Sequence, residues 1–156
     1  MVERSSEKAG VGSSILPLGT TFSSNPMKRI LFVCVENAGR SQMAEGFAKA
    51  LAPQGVEIFS AGSQPAKSLN PIAVEVMWER KIDIGANQPK GFQALPPGIF
   101  DLMVGMGCGE ACPVGRARRV IQWEIPNPKG QSIQVVRQIR DQIEEKVRNV
   151  VLEIER

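Results

Sequence analysis

Along this chain, apolar residues fall into short unbroken runs and into longer stretches where they return every three or four positions. The run Ile30 to Cys34 is uninterrupted, as expected of a strand covered on both faces. From Ser41 to Leu51, Met43, Phe47, Ala50 and Leu51 recur at helical spacing, so strand and helix form a βα unit. Val56 to Ser60 reads as a second strand ending in Ala61-Gly62, and Asn70-Pro71 is a cap and first-turn pair for a helix running to about Arg80. Asp101 to Gly105 and Val120 to Trp123 supply a third and a fourth strand. The clearest period is the last: Ile133, Val136, Ile139, Ile143, Val147, Val150 and Ile154 line one face of a helix whose other face is charged. Strands alternating with helices predict a single α/β domain, a four-stranded parallel sheet with helices on both faces and right-handed crossovers. Ligands of such folds bind at the carboxyl ends of strands. The first strand here ends at Cys34.

Residues 1–27 break this pattern, being rich in Ser and Gly without period, and are expected to form a disordered or loosely attached extension, with Met27 an alternative start. The domain is expected over 28–156, and a chain of 156 residues suits one core. The net charge is only +3 and aromatics are 5%, which speaks against a nucleic-acid surface of cations and stacking rings. Charged residues, Gly or Pro interrupt every apolar run, so no membrane span is predicted. Three cysteines are an odd set and nothing resembles a secretory signal, which points to a reducing, cytoplasmic setting. Histidine is absent, and with it every mechanism that uses imidazole as base or ligand, including Ser/His/Asp and Cys/His catalysis and the common zinc sites.

The turn between first strand and first helix reads C-V-E-N-A-G-R-S, Cys34 to Ser41. A loop that passes from a strand into a helix start turns several backbone N–H groups inward and adds the helix dipole, which makes an anion cradle. Val35, Glu36, Asn37, Ala38, Gly39, Arg40 and Ser41 are the candidate oxyanion-binding residues. Asn37 and Gly39 are types that tolerate unusual backbone angles. Arg40 offers a planar fork for two oxygens of a tetrahedral oxyanion. A positive surrounding favours the thiolate form of a cysteine, the nucleophile, and Ser41 is placed to donate a hydrogen bond to it. Cys108 and Cys112 follow the third strand in "MGCGEACP", at the same sheet edge as Cys34. If that segment is helical, side chains four apart are neighbours and a disulfide is reachable; two structural thiols are the alternative. A metal site is disfavoured by three sulfurs and no histidine.

These residues resemble the low-molecular-weight tyrosine phosphatase fold, and "ENAGRSQMAEGF" is closer to the thioredoxin-coupled arsenate reductases of that fold than to its phosphatases. The likeness continues through "FSAGS" at Phe59, "LNPIAVEVMWERKIDIG" at Leu69, "DLMVGMGCGEACP" at Asp101 and "WEIPNPKG" at Trp123. It implies arsenate reduction by a three-cysteine relay: Cys34 attacks arsenate, Cys108 attacks Cys34 as arsenite departs, and Cys112 attacks Cys108 to free Cys34. No bound cofactor is implied; electrons come from thioredoxin or, since Cys108 and Cys112 are closer together than in many relatives, from glutaredoxin or a small thiol. Two other readings stand beside it. One is a phosphatase acting on phosphotyrosine or small phosphate esters; the other is an inactive oxyanion-binding redox sensor.

Departures from the family pattern refine these expectations. Asn127-Pro128 stands where the family carries an Asp-Pro pair whose aspartate is the general acid, so phosphatase activity is expected to be weak. Glu124 is a candidate replacement acid, with an ordinary surface carboxylate as the alternative. Some arsenate reductases hold potassium through residues matching Asn37, Glu45 and Ser60 and an aspartate; Lys90 takes the aspartate's place here, so no metal is expected, the alternative being a solvated lysine. Trp123 either covers the active edge or fills core, and Arg116, Arg118 and Arg119 either attract anions toward Cys112 or form a solvated turn. Asn70 is expected to cap its helix, and Asp101 is a candidate to orient the loop.

Overall fold

The computed structural model describes residues 27–154; the expected disorder of residues 1–26 lies outside them. Four strands, β1 (Lys28–Cys34), β2 (Val56–Gly62), β3 (Phe100–Gly105) and β4 (Ala117–Gln122), form one sheet in the order β2-β1-β3-β4. All three pairings are parallel. The helices are α1 (Arg40–Leu51), α2 (Pro71–Trp78) and α3 (Ile133–Ile154). β1 is central, and Ile30, Leu31, Phe32 and Val33 are fully buried. Such double burial explains an unbroken apolar run, since each side chain meets one of two cores whichever way the pleat turns it.

Those two cores differ in what covers them. Ile30, Phe32 and Cys34 join Met43 and Phe47 of α1, Val76 and Met77 of α2, and the apolar stripe of α3 from Val136 to Val151. Leu31 and Val33 face the other way, onto Leu95, Phe100, Met103, Cys108 and Cys112. Among the described residues, helical cover on that second face is limited to short 3₁₀ turns: Phe92–Ala94, Gly109–Ala111 and Val114–Arg116. A segment of eleven residues, 106–116, must carry the chain from the end of β3 back to the start of β4, too short a crossover to hold a full helix as well.

Several boundaries shift from the sequence expectation. β4 runs Ala117–Gln122, since pairing with β3 begins at Phe100 opposite Ala117, ahead of the apolar residues Val120 and Ile121. α2 ends at Trp78 because Lys81 turns to φ 63, where the helix cannot continue. Asn70 caps α2 as expected, its side-chain oxygen accepting from the N–H groups of Ile72 and Ala73 at 2.9 and 3.3 Å. Trp123 fills core on the α3 side, 6.0 Å from Phe32.

Asp101 is not near the loop. It is the second residue of β3, so parallel pairing places it at the opposite end of the sheet, where its carboxylate accepts from the Arg29 N–H at 2.8 Å. The arginine run is committed there too. Arg116 donates to the carbonyls of Pro96 and Gly98 and lies 5.2 Å from the Phe100 ring centre, Arg118 is 3.7 Å from Asp101, and Arg119 is 3.2 Å from Glu153.

Arg140 interrupts the apolar stripe of α3, yet it is buried. Its Nη1 donates to the Val76 carbonyl at 3.0 Å and to Glu79 at 2.7 Å, joining α3 to the end of α2. Arg137 adds a two-pronged contact to Glu79, and these bonds, those from Arg137 first and Arg140 second, hold the Glu79 carboxyl below its ordinary value. A carboxyl depressed in the folded state stabilises it above the unfolded value and loses that contribution as pH falls below about 4.5. Glu79→Gln is therefore expected to lower the thermal unfolding midpoint at pH 7 and to flatten its decline between pH 5 and pH 3. Arg140→Leu, which leaves the Val76 carbonyl unsatisfied, is expected to cost about 1–3 kcal/mol in urea unfolding at pH 7.

Candidate functional site

β1 ends at the carboxyl edge of the sheet, and the next five residues wrap back into α1. What holds that wrap open is the chain leaving β2. Ser63, Gln64, Ala66 and Asn70 donate their N–H groups to the carbonyls of Cys34, Val35, Glu36 and Ala38 at 2.7–3.1 Å. A trans peptide points its carbonyl and the following N–H in opposite directions, so four carbonyls drawn outward aim the N–H groups of Val35, Glu36, Asn37 and Gly39 inward. The Asn37 N–H shows the result directly, donating to Cys34 Sγ at 3.3 Å. Gly62 makes this approach possible: a Cβ there would press on the Val35 carbonyl and the Asn37 nitrogen.

Within the loop, Asn37 takes the left-handed conformation at φ 52. Gly39 does not; at φ −137 it has ordinary sign, and its lack of a side chain instead leaves room for Pro128, whose Cγ would be 2.8 Å from a Cβ. Cys34 is 2% exposed and is a free thiol, with Ser41 Oγ 2.9 Å from its sulfur. Arg40 opens α1, is buried, and donates to the Ile125 carbonyl at 3.2 Å while Gly107, at φ 101, lies against its guanidinium. Cys34, Arg40 and the N-terminus of α1 thus converge on one point, a combination suited to a tetrahedral anion over a nucleophilic sulfur.

The point opens into a cleft of about 420 Å³. Its walls are the loop itself, the segment from Ala66 through Ile72, and Asn127 through Gly130. Asn127 therefore stands at the site, where its side-chain oxygen accepts from the Lys129 N–H at 3.0 Å. Glu124 is exposed and is not among the residues lining this cleft, which leaves it a surface carboxylate. Lys67 and Lys129 line the cleft without having been expected there, and Lys129 closes on Glu36 of the loop at 3.1 Å. Neither lysine carries a local sequence signal, since each arrives through a loop.

Polar side chains that do not face the cleft gather around Asn37. Its oxygen accepts from the Lys90 N–H and from Gln42 Nε2, both at 2.9 Å, and its amide nitrogen donates to Ser41 at 2.7 Å and Ser60 at 3.1 Å. Ser60 is bonded to Glu45, and the Lys90 ammonium lies 3.3 Å from Ser60 Oγ and 3.7 Å from Glu45. The position matched to a potassium ion is thus already faced by a cation, and the group does not fit beside it.

Cys108 and Cys112 form a disulfide across the Gly109–Ala111 turn, with Cα atoms 5.5 Å apart. The turn is 3₁₀ rather than α-helical, which still brings residues four apart within disulfide reach. Met106 continues β3 by donating its N–H to the Val33 carbonyl at 2.8 Å, so the pair begins beside the Cys34 loop. The sulfurs nevertheless pack in the core on the far face of the sheet, while Cys34 belongs to the helical face.

Among the described residues no helix is long and apolar enough to cross a membrane. Comparison with known proteins agrees with the geometry. The chain is similar to a glutaredoxin arsenate reductase of Synechocystis, 34% identical over 82% of this chain and 99% of that protein. Among solved structures it matches an arsenate reductase in the phosphate-binding state, with a TM-score of 0.75 and 34% identity over 82% of this chain and 99% of that one. It also matches a thioredoxin-dependent arsenate reductase of Corynebacterium glutamicum, with a TM-score of 0.69 and 32% identity over 85% of this chain and 64% of that one. The sheet order, the loop between β1 and α1 and a sequence match running from residue 29 to residue 156 coincide, and the chain belongs to the low molecular weight phosphotyrosine protein phosphatase family.

Proposed function

We propose that this protein reduces arsenate to arsenite with electrons from a thiol donor, by a relay through Cys34, Cys108 and Cys112. The observation that carries the reading is the coexistence of a free Cys34 in an anion cradle with a disulfide between Cys108 and Cys112 beside it. Phosphoryl transfer needs only the cradle, Cys34 and Arg40. Reduction needs two further sulfurs that end up joined.

The inward N–H groups and Arg40 hold the oxyanion, and the Cys34 thiolate attacks the arsenic of dihydrogen arsenate, forming a sulfur–arsenic bond while one oxygen departs as water with both of the arsenate protons. The Cys108 thiolate then attacks Cys34 Sγ. The sulfur–arsenic bond breaks with its electron pair retained on arsenic, arsenite leaves, and a Cys34–Cys108 disulfide remains. Cys112 attacks Cys108 and releases the Cys34 thiolate. Two thiols have lost two electrons and arsenic has gained them, and the product is the Cys108–Cys112 disulfide. Because that pair packs on the far face of the sheet, the exchange with Cys34 requires the segment to swing around the sheet edge once reduced. Gly107 at φ 101 and Gly109 at φ 58 flank Cys108 and allow it.

The donor is a thioredoxin, or a glutaredoxin with a small thiol; relatives are named for each. Asn127 suits this chemistry better than ester hydrolysis. An amide at the acid position cannot protonate an alkoxide leaving group, whereas dihydrogen arsenate itself supplies both protons of the water that leaves.

Purified protein with arsenate, NADPH and either a thioredoxin or a glutaredoxin system is expected to release arsenite with at least one of them. Cys34→Ser, Cys108→Ser and Cys112→Ser are each expected to reduce that turnover by about a hundredfold or more. Arsenite formation that survives loss of Cys108 or Cys112 would remove the relay. Asn127→Asp is expected to raise hydrolysis of p-nitrophenyl phosphate at pH 5–6 by roughly tenfold or more, within the range set by general acid catalysis; an unchanged rate would mean that the residue is not at the acid position.

A further inference from the structure

The polar network behind Cys34 has a direction, and the direction is fixed by donors that have no choice. A backbone N–H only donates, so the Lys90 N–H bound to Asn37 identifies the accepting atom as the amide oxygen. Both amide hydrogens of Asn37 are then spent, one on Ser41 Oγ and one on Ser60 Oγ. Ser41 already accepts, which turns its own hydroxyl hydrogen toward Cys34 Sγ. Ser60 accepts from Asn37 and from the Lys90 ammonium, and donates to Glu45. Every hydrogen in the chain has one assignment.

Glu45 anchors the far end. Its carboxylate is buried on α1, held by Ser60, by Lys49 at 2.8 Å and by Lys90 at 3.7 Å. The two lysines are unequal: Lys49 is more than half exposed, whereas the Lys90 side chain is 31% exposed and reaches inward. Lys90 touches the network a third time through its carbonyl, which accepts from the N–H of Gly62, the residue that lets β2 pass the loop. A single residue thus sets the Asn37 amide, the Ser60 hydroxyl and the charge beside Glu45.

We infer that the Lys90 ammonium is the built-in cation of this site, standing beside Glu45 and Ser60 where the resemblance places potassium, and that its bond to Ser60 supports the donor chain that runs from Asn37 through Ser41 to Cys34. Lys90 is a positioning residue: it touches neither oxyanion nor sulfur. The inference rests on Cys34 being the nucleophile of the proposed reaction.

The test reads Cys34 without arsenate. In a Cys108→Ser/Cys112→Ser background, the rate of Cys34 alkylation by iodoacetamide at pH 7 is followed for Lys90, Lys90→Arg, Lys90→Met and Lys90→Ala. Lys90→Met is expected to slow alkylation roughly three- to tenfold, the size of losing one charge acting inside the protein, and Lys90→Arg to stay near the parent. Lys90→Ala is expected to be slow in choline chloride and to recover in potassium or ammonium chloride of equal ionic strength, while the parent responds to neither. Thermal unfolding of each variant separates loss of the fold from loss of the relay. Parent-like alkylation in folded Lys90→Met would overturn the inference. So would slow alkylation of Lys90→Ala that no small cation restores, which would make Lys90 a structural residue only. Because arsenite is never measured, failure of the reductase reading leaves this result standing, and the reverse also holds.

Discussion

The site depends on four hydrogen bonds in which the chain leaving β2 draws the carbonyls of Cys34, Val35, Glu36 and Ala38 outward. A loop of five residues between a strand and a helix has too few internal partners for its own carbonyls, and left alone it would solvate them in many shapes. Giving each an external donor fixes one shape, the one in which the N–H groups converge. Asn37 in the left-handed region and Gly62 without a Cβ are the local conditions that let the two segments meet. The cradle is therefore a property of two crossovers, from β1 to α1 and from β2 to α2, rather than of the loop alone.

Division of labour between the two sheet faces follows from the same strand. β1 sends Cys34 to the helical face, where α1, α2 and α3 lock it in a rigid core, and sends Leu31 and Val33 to the face covered by turns. Helical cover is hard to shift because its backbone bonds are internal. Turns are easier to rearrange, with fewer hydrogen bonds to break. In the proposed relay the nucleophile needs fixed geometry and the resolving cysteines need reach, and the two faces differ in that sense.

The polar side chains around Asn37 show how a buried network is kept unambiguous. Asn37, Ser41, Ser60, Glu45 and Lys90 lie on four different elements or loops, yet the bonds among them run in one direction, from the Lys90 N–H to Asn37, from Asn37 to Ser41 and Ser60, and from Ser60 to Glu45. Arg140 is likewise satisfied, using Val76 and Glu79 to tie α3 to the end of α2. Both are satisfied arrangements inside an otherwise apolar packing, which is the condition for burying charge without losing stability.

The succession of strands and helices, the burial of β1 on both faces, the C-x5-R-S turn and the α2 cap were all legible in the sequence, because each leaves a local signal in the chain: an unbroken apolar run, helical period, capping and turn chemistry. The resemblance carried by Cys34, Arg40 and the Cys108/Cys112 pair was legible for the same reason. Only the tertiary structure decided what depends on long-range meetings. It put Asp101 at the far end of the sheet, gave Gly39 a packing role against Pro128, buried Arg140, brought Lys67 and Lys129 to the cleft, and separated the cysteines onto opposite faces. A sequence states which side chains are available; which of the distant hydrogen bonds and ion pairs they form depends on partners from 23 residues away, as Ser60 is from Asn37, to 93, as Lys129 is from Glu36, and the crossovers choose those.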